Sequence, residues 1–191
     1  NVQRQELVVD GSALIAGSDG WIFRTYDLTG EYDLQPGTIP GLTRFVQAWA
    51  SKGTRVALVL LPPRGVLAAS RVNRSDPLAA SFDPAAISAA YRIAIREMES
   101  TGAVVPDLLA ESGKAKLGER FFFRRDHHWT PEGAKLAMNA VISRLGASLP
   151  AFTPVAFQNV LEKYRALPGV IAATMPKECA YEPFPPERLS R

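Results

Sequence analysis

Cysteine occurs once and histidine twice in these 191 residues. A lone thiol, Cys179, closes no disulfide within the chain, so no internal disulfide framework holds it together. Two histidines and one cysteine also fall short of the three or four ligands that zinc usually takes, and no metal is expected. No apolar stretch reaches the roughly 20 residues of a bilayer-crossing helix. No run of lysine and arginine is interleaved with aromatics. The formal charge of +3 is mild, which argues against a nucleic-acid binder and fits an anionic ligand or an ordinary solvated surface equally well. Apolar and charged fractions of 47% and 21% are those of a globular domain with one sizeable core.

What is present alternates between strand and helix patterns. Residues 6 to 10 and 13 to 16 read as short strands, and Gly17-Ser18-Asp19-Gly20 reads as a turn into Trp21-Ile22-Phe23. Together they predict a hairpin over about residues 6–24. Leu42, Phe45, Val46 and Trp49 recur at helical spacing between residues 39 and 52, and Gly53 ends the pattern. The continuous apolar run from 55 to 61 is the mark of a strand buried on both faces. Asp83 and Pro84 open a helix with Ile87, Tyr91, Ile95 and Met98 on one face, closed by Gly102. A short strand at 103–105, a helical turn at 107–111, a strand at Phe121-Phe122-Phe123 and a helix at 131–145 follow. That last helix carries Leu136, Met138, Val141, Ile142 and Leu145 as its apolar residues. The alternation over 39–145 predicts an α/β fold with a mainly parallel sheet. Beyond Pro150 a further helix at 155–164 and an irregular Pro-rich connection to residue 191 are expected.

Both histidines fall in one segment, Phe121-Phe122-Phe123-Arg124-Arg125-Asp126-His127-His128-Trp129-Thr130-Pro131-Glu132-Gly133-Ala134. Thr130 and Pro131 read as an N-cap and first helical residue, with Glu132 well placed against the helix dipole. Asp126 to Trp129 then form the loop leaving a strand, where open α/β sheets place their ligand crevice. In an extended loop a spacing of two puts Asp126 and His128 on the same side, while adjacent His127 should diverge. A carboxylate that accepts the Nδ1 proton fixes the imidazole tautomer and leaves Nε2 to act as a base, and the helix N-terminus favours the neutral ring. The bland alternative is that these side chains satisfy backbone carbonyls. Arg64, after the strand at 55–61, is either a carboxylate-binding or oxyanion-supporting group or a solvent-facing turn arginine. Trp129 anchors the loop in the core or stacks on a ligand ring. His127 and Arg125 are further substrate-binding candidates, and Arg124 and Arg125 either attract polyanion or face water.

The run Asp126-His127-His128-Trp129-Thr130-Pro131-Glu132-Gly133-Ala134 resembles the signature of the AlgX and AlgJ type alginate O-acetyltransferases of the SGNH-hydrolase-like superfamily. Gly17-Ser18-Asp19-Gly20-Trp21-Ile22-Phe23 is similar to the hairpin near the start of their catalytic domain. Residues 56–61 with Pro62-Pro63-Arg64-Gly65 look like their first core strand and its loop. The resemblance implies a three-layer α/β/α fold and a Ser-His-Asp triad in which Asp126 orients His128. It also implies acetylation of an exopolysaccharide, alginate, in the periplasm. No soluble cofactor is implied, because the acetyl group would come from a membrane acyltransferase partner rather than acetyl-CoA. Other exopolysaccharide biosynthesis proteins are implied as partners.

The expected nucleophile, a serine in a Gly-Thr-Ser type turn after the histidine, has no counterpart between His128 and Arg191. Ser143 falls in a helix, Ser148 in a Gly-Ala-Ser-Leu-Pro turn and Ser190 in a Pro-rich tail. None follows an apolar strand with the glycine a sharp nucleophile turn needs. The expectation is therefore one SGNH-like domain over 1–191, incomplete at its C-terminus and with its leader removed. Cys179 would then have a disulfide partner elsewhere or be a buried inert thiol. A carbohydrate acetylesterase with the same triad and a noncatalytic polysaccharide-binding or scaffold protein are the competing readings.

Overall fold

The computed structural model describes residues 8–9, 12–30, 32 and 34–146. The readings of Ser148 and of 150–191, including Cys179 and Ser190, lie outside the described residues.

Three short strands, β1 (Val8–Val9), β2 (Ser12–Ala16) and β3 (Ile22–Arg24), form an antiparallel sheet in that order. β2 and β3 pair Ile15 with Phe23 across the predicted turn. Asp19 and Gly20 take positive φ there, at 52° and 75°, the left-handed geometry that a tight reversal demands. The inward residues Ile15, Trp21 and Phe23 pack with Leu28, Val72, Phe82 and Ile87 into one apolar cluster.

The helices are α1 (Tyr26–Thr29), α2 (Thr38–Ala50), α3 (Arg64–Leu67), α4 (Pro84–Glu99), α5 (Leu108–Lys114) and α6 (Pro131–Leu145). Asp83 caps α4 through the amides of Ala85 and Ala86, Asp107 caps α5 through Ala110, and Thr130 caps α6 through Gly133. In each case a short acceptor side chain meets an amide that the helix leaves unpaired.

The parallel component is smaller than the sequence pattern predicts. Residues 55–61 run extended, but among the described residues their parallel pairing is a single bridge, Ala57 with Val104. Val56, Leu58 and Leu60 pack on the cluster of Val46, Tyr91, Ile95, Ala103 and Val105. Val59 and Leu61 are exposed. The run is thus covered on one face, because alternation sends every second side chain away from α2 and α4, and no described element lies there. α6 is likewise covered on one face. Its buried positions are Gly133, Ala137, Ala140 and Val141, while Met138 and Ile142 face outward.

Phe121, Phe122 and Phe123 do not form the predicted strand. Phe121 ends a 3₁₀ turn (Gly118–Phe121), and Phe122 makes an isolated antiparallel bridge with Trp129. Phe121 and Phe122 are buried because they pack against Leu108, Leu117, Ala137 and Ala140, so their apolarity reports a core contact and not sheet pairing. α6 approaches this turn closely enough that a Cβ on Gly133 would stand 2.5 Å from the Phe121 carbonyl oxygen. Gly133→Ala should therefore destabilise the fold by about 1–3 kcal/mol through overpacking. The urea midpoint measures it, and an unchanged midpoint would mean that the contact yields freely.

Candidate active site

Asp126, His127 and His128 sit in a tight turn whose ends are tied together. The Phe123 amide donates to the His128 carbonyl at 3.2 Å, and the Thr130 amide donates to the Phe121 carbonyl at 2.9 Å. Thr130 Oγ1 also donates to the Arg120 carbonyl at 2.7 Å. One threonine therefore caps α6 and closes the turn.

Within this turn the structure brings Asp126 and His128 together. Asp126 Oδ1 lies 2.6 Å from Nδ1 of His128 and accepts the His128 backbone amide at 3.0 Å. With a proton on Nδ1 this is a charge-assisted hydrogen bond, and Nε2 is left as the proton acceptor. The His128 side chain is 58% exposed and that of Asp126 15% exposed, so the base is accessible while its orienting carboxylate is largely sheltered.

His127 does not diverge from its neighbours. Its ring lies against that of His128, tilted by 32° with centroids 4.2 Å apart, and its Nδ1 is 3.8 Å from Asp126 Oδ1. The cause is the turn: residues 124–128 bend instead of running extended, so consecutive side chains crowd on one side. Burial pushes the His127 pKa down, the positive charge of Arg24 and the neighbouring His128 push the same way, and Asp126 and Asp27 oppose them. Donor atoms of the three residues lie within 4.8 Å of one another, which gives the group the donor types of a metal site. One carboxylate oxygen is already committed to His128.

Arg64 is not the solvent-facing turn arginine of the sequence reading, nor is it turned toward an open ligand site. It is 4% exposed. Nη1 donates to the Ile22 carbonyl at 2.8 Å and to Asp27 Oδ2 at 3.1 Å, and Nη2 donates to the carbonyls of Phe123 and Arg124 at 2.9 and 2.8 Å. Its guanidinium also lies against the rings of Trp21 and Phe23, with Cζ 4.8 and 5.1 Å from their centroids. Burial lowers the Arg64 pKa and Asp27 opposes that; a guanidinium remains charged in such a setting. Removing either partner of a buried pair like this costs about 3–5 kcal/mol, because the other charge is stranded.

Asp27 carried no signal in the sequence. Its partner lies 37 residues away, and only the buried, capping geometry marks it, with Oδ2 also accepting the Arg24 amide at 2.9 Å. Arg125 is half-buried and donates from Nε to the Gly20 carbonyl at 3.1 Å, which ties the turn to the hairpin. Trp129 packs on the cluster beneath the turn, 6.5 Å from Phe121 between ring centroids, in keeping with the anchoring role. Arg124 is exposed. Ser143 lies exposed on α6, within a helix as the sequence predicts.

A family model described as the SGNH hydrolase-like domain of acetyltransferase AlgX matches residues 14–191. The alginate biosynthesis protein AlgX of Pseudomonas putida is 30% identical over 146 residues, covering 74% of this chain and 30% of that protein. The chain thus spans about a third of the length of the curated relatives it matches. Among solved structures, Pseudomonas aeruginosa AlgX superposes with a TM-score of 0.61 at 25% identity, over 73% of this chain and 33% of that one. The O-acetyltransferase domain of Pseudomonas putida AlgJ superposes with a TM-score of 0.60 at 21% identity, over 86% and 59%. The fold is SGNH hydrolase-like.

The depressed His127 pKa links the turn to pH. A group that binds its proton less tightly when folded favours the folded state fully above its unfolded pKa of about 6.5, and that contribution is lost as pH falls through the lower folded value. The melting temperature should therefore fall as pH drops below about 6.5, and less so in His127→Gln. Equal pH slopes in the two proteins would remove His127 as the cause.

Proposed function

We propose, from the premise that this chain belongs to the SGNH hydrolase-like AlgX family, that it carries the base of a polysaccharide O-acetyltransferase. Asp126 orients His128, and His128 moves the protons. The observation that carries this reading is the 2.6 Å contact between Asp126 and Nδ1 of an accessible imidazole. In the first half-reaction Nε2 takes the proton of a serine hydroxyl, the serine oxygen attacks the acetyl carbonyl, and the imidazolium returns the proton to the departing donor. In the second, Nε2 takes the proton of a sugar hydroxyl, which attacks the acetyl-enzyme, and the serine recovers its hydrogen.

The serine in this reading is none of Ser143, Ser148 and Ser190, and it is presented to His128 from sequence outside these 191 residues. The acceptor is an anionic exopolysaccharide, alginate, as the names of the relatives suggest. The chemistry belongs to the periplasm, where acetyl-CoA is absent, so a membrane acyltransferase partner hands over the acetyl group and no soluble cofactor takes part. One observation favours hydrolysis as a competing outcome: the open His128 imidazole leaves water able to take the place of the sugar.

Acetyl release from a chromogenic ester and acetyl transfer to deacetylated polymannuronate, followed by mass, test the proposal in the full-length protein. His128→Ala and Asp126→Asn should each lower both rates by roughly a thousand-fold or more while the fold is retained. Full activity in His128→Ala would sink the reading. Ester cleavage without transfer would assign an esterase, and binding of the polymer without either activity would assign a scaffold.

A further inference from the structure

Asp126 can orient His128 only if its own backbone is fixed, yet residues 124–128 belong to no helix or strand. Beyond the bonds that join the turn's two ends, further restraint comes from outside it. Nη2 of Arg64 holds the carbonyls of Phe123 and Arg124, the Ile22 amide donates to the same Arg124 carbonyl at 3.0 Å, and Arg125 reaches Gly20. Nη1 of Arg64 is pinned in turn by Asp27 and the Ile22 carbonyl.

We infer that Arg64, held by Asp27, is a positioning residue that sets the backbone of residues 123–126 and through it the hydrogen bond between Asp126 and His128. This rests on the acyl-transfer reading of that pair. Arg64 touches no reacting atom; it acts through two carbonyls that immediately precede Arg125 and Asp126. A planar fork is required, because one nitrogen must face Asp27 while the other faces the turn. Lysine would keep the charge but present all its donors from one nitrogen, so it cannot serve both sides. A purely structural arginine would need its charge neutralised and its donors satisfied, and nothing more. Here two of the four hydrogen bonds go to the very segment whose placement the chemistry needs.

The test compares Arg64→Lys with Asp27→Asn and with Asp83→Ala, which removes the remote cap of α4 and serves as a control for lost stability. The readouts are the Nδ1 proton resonance of His128 in the ¹⁵N-histidine-labelled full-length protein, the pH profile of ester cleavage, and kcat and KM separately. Arg64→Lys should lose or shift the resonance and lower kcat by about 10- to 100-fold with KM little changed, the cost of a misplaced base. Asp27→Asn should move the same readouts in the same direction, and it carries the test if Arg64→Lys does not fold. Asp83→Ala should lower only the melting temperature. If both site variants keep the resonance and kcat while melting earlier, Arg64 is merely structural and the inference is overturned. If the wild type shows the resonance, Arg64→Lys loses it and neither protein releases acetyl, positioning stands and the acyl-transfer reading falls.

Discussion

A guanidinium taken out of water needs a counter-charge and acceptors for its donors, and each one left unmet is costly. The two terminal nitrogens of Arg64 find them in four separate places, a strand carbonyl at Ile22, a carboxylate at Asp27 and two turn carbonyls at Phe123 and Arg124, while Nε is buried without an acceptor. The hairpin strand β3 and the segment bearing both histidines are thus fastened to a single side chain. The close packing around it follows from the same demand. A Cβ on Gly65 would stand 2.4 Å from the Asp27 carbonyl oxygen, so α3 can bring Arg64 this near only because the next residue has no side chain. Trp21 and Phe23 stack with centroids 5.5 Å apart and present their faces to the cation.

This makes the N-terminal hairpin part of the candidate site. Gly20 receives Arg125, Ile22 bonds to Arg124, and Arg24 bears electrostatically on His127. At the outer edge Arg71 pairs with both Asp19 of the hairpin turn and Glu119, within the 3₁₀ turn that Phe121 ends. These partly exposed pairs add little energy on their own. They follow the path set by the buried ones.

The opposite side of the turn is governed by packing. Phe121 and Phe122 fill the space between α5 and α6, and Gly133 allows α6 to rest on the Phe121 carbonyl. Thr130 then joins cap and turn. Pinned from both directions, the turn gathers Asp126, His127 and His128 within hydrogen-bonding or stacking range, and the crowding that aligns one histidine also disfavours the charged form of the other.

Local features were legible in the sequence because their causes are local. Asp83 and Thr130 cap helices through amides two or three residues away, the hairpin turn needs positive φ where Asp19 and Gly20 stand, and a spacing of two allowed Asp126 to meet His128. The three phenylalanines misled, since apolarity signals burial without saying whether a sheet or a helix pair provides it. The apolar run at 55–61 misled likewise, because burial of both faces depends on what lies opposite. His127 lies against His128 where an extended loop would have parted it from its neighbours, because the bend comes from bonds between the turn's two ends. The pairing of Arg64 with Asp27 was beyond reach for the plainest reason: each is an ordinary polar residue in its own neighbourhood. Only the tertiary structure, by removing both from water across 37 residues of chain, turned them into the pair that holds the site.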